Sequence, residues 1–140
     1  MLDSVIFKSI RSAHTLTFSN PKPPHCQHPV STFTATLRDR DWVVSTVVYL
    51  YEPTHLAHFF EALATDWQGW NEPKQWISIE SHITLRCVFE GSSDLSPVVE
   101  MSVSLTPDPD QPEKTVQGMI YLKATELGAI AFQLKKFLHL

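Results

Sequence analysis

Glu80, His82, Thr84 and Arg86 stand two residues apart in ISIESHITLRCVF, Ile77 to Phe89. In an extended strand such positions share one face in steps of about 7 Å. A carboxylate, an imidazole, a hydroxyl and a guanidinium would then line up, and a Glu-His pair can transfer a proton. Glu100, Ser102 and Ser104 alternate in the same way in VVEMSVSL and would extend this polar patch from a neighbouring strand. Trp70 and Trp76, in DWQGWNEPKQW, could form an aromatic corner beside Glu80 and His82. The candidate binding residues are therefore Trp70, Trp76, Glu80, His82, Arg86 and Glu100, with no residue assigned a catalytic role.

Other chemistry-bearing groups are less complete. His25, Cys26 and His28 in HCQH could grip zinc or copper, but a structural zinc site normally needs a fourth ligand, and no CxxC or HxxxH partner occurs. His55 and His58 lie three apart with Glu61 one turn further. The metalloprotease signature instead needs histidines four apart with a glutamate beside the first. Asp108, Asp110 and Glu113 gather in PDPDQPE, where the prolines spoil the register of a calcium loop. Four glycines leave little room for a phosphate-cradling loop, and Gly-x-Ser-x-Gly is absent. No metal or other cofactor is expected.

The elements that position these groups follow from periodicity and punctuation. Proline-rich NPKPPHCQHP and PDPDQP cannot lie inside a central strand and read as loops. Strand alternation marks Val5 to Ile10 and His14 to Phe18 as an opening hairpin, then Ser31 to Arg38, Ile77 to Phe89, Val99 to Leu105 and Thr115 to Leu122. On Ile77 to Phe89 the odd positions, including Ile77, Ile79 and Cys87, are expected to face the core. Trp42 to Tyr51, rich in β-branched and aromatic residues on both faces, is expected at the centre of the sheet.

Two segments switch to helical spacing. Leu56, Phe59, Phe60, Leu63, Ala64 and Trp67 form one stripe, begun by Pro53 with Glu52 or Thr54 as cap. Gly69 falls where a left-handed helix terminus wants glycine, and Trp67 is expected to anchor the core. The second helix, Thr125 to His139, presents Leu127, Ile130, Ala131, Leu134, Phe137 and Leu138. The expected fold is one α+β domain over residues 1–140. It is a largely antiparallel sheet of about six to seven strands with two helices packed on one face, in the order ββββαβββα.

The stretch Leu56 to Leu85 resembles an uncharacterised family of small bacterial proteins. Its pattern of Leu-x-x-Phe-Phe, Leu-Ala, Trp-x-Gly-Trp and Trp-x-Ser-x-Glu is met by Leu56, Phe59, Phe60, Leu63, Ala64, Trp67, Gly69, Trp70, Trp76, Ser78 and Glu80. The resemblance covers about thirty residues well and the final helix loosely. Where the family often reads Gly-His before the next strand, this chain has SSDLSPVV. The resemblance implies an architecture and no activity. Small α+β proteins of this outline are also common among toxin-neutralising immunity proteins, an analogy at the level of fold.

Composition narrows the function classes. The 140 residues carry 11 Lys and Arg against 15 Asp and Glu, a net charge of -4, with the basic residues scattered. That is a poor match to the concentrated basic stripe that neutralises nucleic-acid phosphates. Two cysteines form no disulfide framework. The opening MLDSVIFKSIRSAH does not read as a signal peptide, and no apolar run approaches a membrane span, so a cytoplasmic location is expected. With no complete catalytic constellation, a non-enzymatic domain that binds another protein is the leading expectation, an immunity-like role being its most concrete form. The alternative is a small-molecule binder or enzyme with a site near Trp70, Trp76, Glu80 and His82. Homodimerisation through the sheet is a third possibility, for which the sequence supplies neither edge nor register.

Overall fold

The computed structural model describes residues 2–24, 28–91 and 97–140. Four strands come first: β1 (Ser4–Lys8), β2 (Thr15–Lys22), β3 (Thr32–Arg38) and β4 (Val43–Tyr49). Helix α1 (Pro53–Thr65) follows, then β5 (Lys74–Ile77), β6 (Ile83–Glu90), β7 (Val98–Leu105) and β8 (Val116–Lys123), and finally helix α2 (Leu127–Phe137). The fold is α+β and antiparallel throughout, with the expected run of strands, helix, strands, helix. The strands nevertheless form two four-stranded sheets, β1-β2-β3-β4 and β5-β6-β7-β8, rather than one.

One contiguous core joins the inner faces of both sheets to the stripes of both helices. Phe7 and Phe18 meet edge-on at 5.0 Å, Phe60 of α1 lies 5.5 Å from Phe7, and Phe137 of α2 lies 5.8 Å from Phe33. The α2 stripe from Leu127 to Leu138 is buried as its spacing predicts. Pro53 occupies the first turn of α1, where its missing N–H costs no helical bond. Glu52 stands at the N-cap, but its carboxylate accepts from the Thr54 hydroxyl rather than from a backbone N–H.

Several expectations need correction. Trp67 does not anchor the core: it is 40% exposed, because α1 ends at Thr65 and the next residues leave the helical screw. Gly69 has the positive φ, +142°, that suits glycine, but it closes a turn beyond the helix by donating to the Asp66 carbonyl at 2.8 Å. Ile77 to Phe89 is not one strand. The buried Ser78 accepts the Ile83 N–H on its hydroxyl at 3.2 Å, and Ser81 adopts a φ of 62°, which turns the chain back on itself.

That turn reverses the parity of β5. Trp76 pairs with the buried Leu85, so the even positions of β5 face inward while Ile77 faces out beside Thr84. Ile77 and Ile79, expected in the core, are 49% and 60% exposed. The expectation for Trp42 to Tyr51 also fails in position, since β4 is an edge strand, paired only with β3. Its valines at 43 and 47 face solvent rather than a second layer.

A polar hollow on the second sheet as the candidate functional site

Strand register builds the outer face of the second sheet in rows. One row runs Ile77, Thr84, Ser104, Gln117, and the next runs Gln75, Arg86, Ser102, Met119. A third row sets Val88, Glu100 and Tyr121 side by side. The inner-facing partners on the same strands, Leu85, Cys87, Met101, Val103 and Ile120, are fully buried. The apolar face thus fixes the register, and the register fixes which polar side chains are neighbours.

The first two rows floor an open hollow of about 450 Å³, bounded by Gln75, Thr84, Arg86, Ser102, Ser104, Gln117 and Met119, with His14 at its rim. Among the described residues Arg86 makes no ion pair. The side chains of Gln75, Thr84, Ser104 and Gln117 have no protein partner there either, and the Ser102 hydroxyl meets only the Met119 sulfur, at 3.6 Å. Strands lie about 4.8 Å apart, so these groups can converge on one carboxylate-sized ligand. A guanidinium offers donors in a planar fork that fits a carboxylate or phosphate bidentately, while the hydroxyls and amides supply further donors and acceptors.

His14 comes from the β1–β2 loop and meets β8 at its free edge. Its Nδ1 accepts the Met119 N–H at 3.3 Å, which puts the ring proton on Nε2, 3.5 Å from Asp39 Oδ2. The ring lies against β8 because position 118 is glycine, where a Cβ would come within 3.1 Å of the imidazole. With Nδ1 engaged by the backbone, His14 offers no free base to Ser102, Ser104 or Thr84.

The six predicted site residues do not form one cluster. Arg86 floors the hollow. Glu100 lies on the same face in the third row and feels the charge of Arg11, whose guanidinium pairs with Glu90 at 2.8 Å. That pairing, through its hydrogen bond first, raises Arg11 above the ordinary arginine range. Trp70 packs on Phe89 at 5.3 Å and donates to the Cys87 carbonyl at 3.3 Å. Trp76 lines a separate hollow of about 250 Å³ with Tyr49, Tyr51 and His55. Glu80 is exposed on the β5–β6 turn. His82 lies 6.0 Å from the Tyr49 ring, and its buried Nδ1 has no hydrogen-bond partner among the described residues. Glu80 and His82 therefore do not share a strand face with Arg86.

His14, Gln75, Gln117 and Met119 were missed by the sequence reading. The alternation of VQGMIYLK places Gln117 and Met119 on one face, and the reversed parity of β5 would have supplied Gln75. His14 reaches the hollow by a contact more than a hundred residues distant in sequence, for which there is no local signal.

Of the metal candidates, His25 and Cys26 lie outside the described residues. His55 and His58 are exposed on α1, and Glu61 pairs with Lys135 at 3.7 Å. Among the described residues no three His, Cys, Asp or Glu side chains gather in a metal-binding group. No helix there is long and apolar enough to cross a membrane. No curated protein and no solved structure matches the chain. A family model, described as a family of unknown function (DUF6228), matches residues 7–140. That span takes in both helices, every strand except the first three residues of β1, and every residue of the hollow, and the chain belongs to this family.

Proposed function

We propose that the protein is a non-enzymatic binding domain of the bacterial cytoplasm that recognises a partner protein through the outer face of the second sheet. Arg86 is its anchor, holding an acidic side chain or a terminal carboxylate of the partner. The observation that carries this reading is an arginine with no carboxylate partner among the described residues, on the floor of a polar hollow. Around it stand Gln75, Thr84, Ser104 and Gln117, whose side chains make no hydrogen bond among the described residues. Burying such a group against an acid replaces its water with a charge-assisted bidentate bond. Neutralising a toxin is one role that suits such a face.

The size of the hollow favours a second reading. About 450 Å³ falls within the 300–1,000 Å³ common for small-molecule sites, so a small organic anion is the alternative ligand.

The test is affinity capture from lysate of the native cells, comparing wild type with Arg86→Glu and Glu80→Lys. A partner retained by wild type and Glu80→Lys but lost by Arg86→Glu is expected, because Glu80 lies away from the hollow. Equal capture by Arg86→Glu would refute the reading. Native mass spectrometry of the purified protein gives the second reading its own outcome, a small anion released by the same substitution.

A further inference from the structure

The four edges of the two sheets are treated differently. β8 is clasped by the β1–β2 loop: its Tyr121 carbonyl accepts the Ile10 N–H at 3.0 Å and its Tyr121 N–H donates to Ser9 Oγ at 3.0 Å. Its Met119 N–H and carbonyl are taken by His14 and by the Ser12 hydroxyl. β5 is only four residues long, starts at Lys74 and is preceded by Pro73. β1 is five residues long and ends in Lys8. Short length, proline and lysine are the usual ways of discouraging strand addition.

β4 has none of these. It runs seven residues, VVSTVVY, without charge, proline or glycine. Leu50 N–H donates to the Ser31 carbonyl, and Asp39 N–H donates to the Trp42 carbonyl. With the β3–β4 register, this turns the even residues of β4 toward β3. The backbone N–H and C=O groups of Val43, Ser45, Val47 and Tyr49 therefore point away from the sheet, and none has a partner among the described residues. Their side chains are exposed as well, with Val43, Val47 and Tyr49 at 45–47%.

We infer that β4 is the interface of a homodimer, pairing antiparallel with β4 of a second copy to give one continuous eight-stranded sheet. Opposing Val43 to Tyr49 and Ser45 to Val47 of the second copy is the two-fold register that engages all four free residues of each strand. It sets valine against tyrosine at both ends and opposes no like charges. The same arrangement brings the turn carrying Arg40 beside the Tyr51–Glu52 end of the other copy. Arg40 makes no ion pair among the described residues, and Tyr51 is 80% exposed. Arg40 approaches Glu52 there with Asp41 beside it and Asp39 turned to His14, and this contact together with the self-matching two-fold register favours a second copy over an arbitrary strand. A single pair of strands is small beside the roughly 1,600 Å² of a standard interface, so the dimer dissociates on dilution.

Sedimentation equilibrium from low micromolar to millimolar concentration tests this, together with amide hydrogen exchange over the same range. A wild-type dimer is expected at the upper end, with the amides of Val43, Ser45, Val47 and Tyr49 slowing as concentration rises. Val47→Lys, a charge at the centre of the edge, abolishes the dimer. Ile6→Lys, at an exposed position on the opposite edge strand, leaves it intact. A wild-type chain that stays monomeric to millimolar concentration overturns the inference. So does a dimer that survives Val47→Lys or leaves those four amides exchanging freely. Should Val47→Lys fail to fold, by circular dichroism, the wild-type exchange pattern decides alone.

Discussion

Cys87 lies on the inner face of β6, opposite Met101, with no exposed surface. Burial away from water disfavours the thiolate and pushes the thiol from an ordinary 9.0 up to about 12. In the unfolded chain the thiol ionises at its ordinary value, so across this window the unfolded state holds fewer protons than the folded one. Stability contributed by this group therefore falls as pH rises from 9.0 toward 12. Because the thiolate is the nucleophile, the native protein should resist alkylation at Cys87 near neutral pH and accept it once denatured. Peptide mass spectrometry after iodoacetamide reads this directly, and equal labelling in both states would contradict the burial. Arg86, one residue earlier, has the opposite environment, which is why β6 carries both an inert thiol and the anchor of the candidate site.

At the scale of elements, α1 separates what periodicity can and cannot tell. Leu56, Phe60 and Leu63 fall on the stripe and are fully buried. Trp67 continues the same spacing on paper, yet the helix has ended, and the side chain borders an open surface hollow together with Ala64, Ala124, Thr125 and Gly128. Phe60→Ala should cost about 3–5 kcal/mol, since it empties a site in the shared core. Trp67→Ala should cost much less, and urea denaturation of the two variants would show the order. A larger loss at Trp67 would mean that the helix continues past Thr65. The strands repeat the lesson. Alternation placed β3, β6 and β7 and named their buried residues, because one face of each is apolar and the other polar. It failed for β4, where valine occupies both faces, and at Ser78 to His82, where a side-chain bond to Ile83 N–H turns the chain and reverses parity. Of the site, Thr84, Arg86, Ser102 and Ser104 were legible as one polar face. His14 and Gln75 depend on how distant strands meet, which local pattern does not encode.

For the whole molecule, the hydrogen-bonded clasp between the two sheets lies at Ser9 and its loop. Ser9 is nearly buried, at 8% exposure, and its hydroxyl oxygen accepts from Ser12 N–H at 3.1 Å and from Tyr121 N–H at 3.0 Å. One acceptor thus shapes the β1–β2 loop and holds it on the edge of β8. The neighbouring Ser12 hydroxyl and His14 ring hold Met119 from the same loop, so the clasp also sets the rim of the polar hollow. Removing the hydroxyl leaves the half-buried Tyr121 N–H without its partner, a loss of about 1 kcal/mol. Ser9→Ala should therefore lower global stability by that amount. It should also raise amide exchange at Met119 and Tyr121 more than at Ile120, which faces the core on the same strand. Protection falling equally along all of β8 would mean that the loop merely rests on the second sheet. Selective loss at the two edge amides would show that it closes the sheet, leaving β4 as the long edge still open.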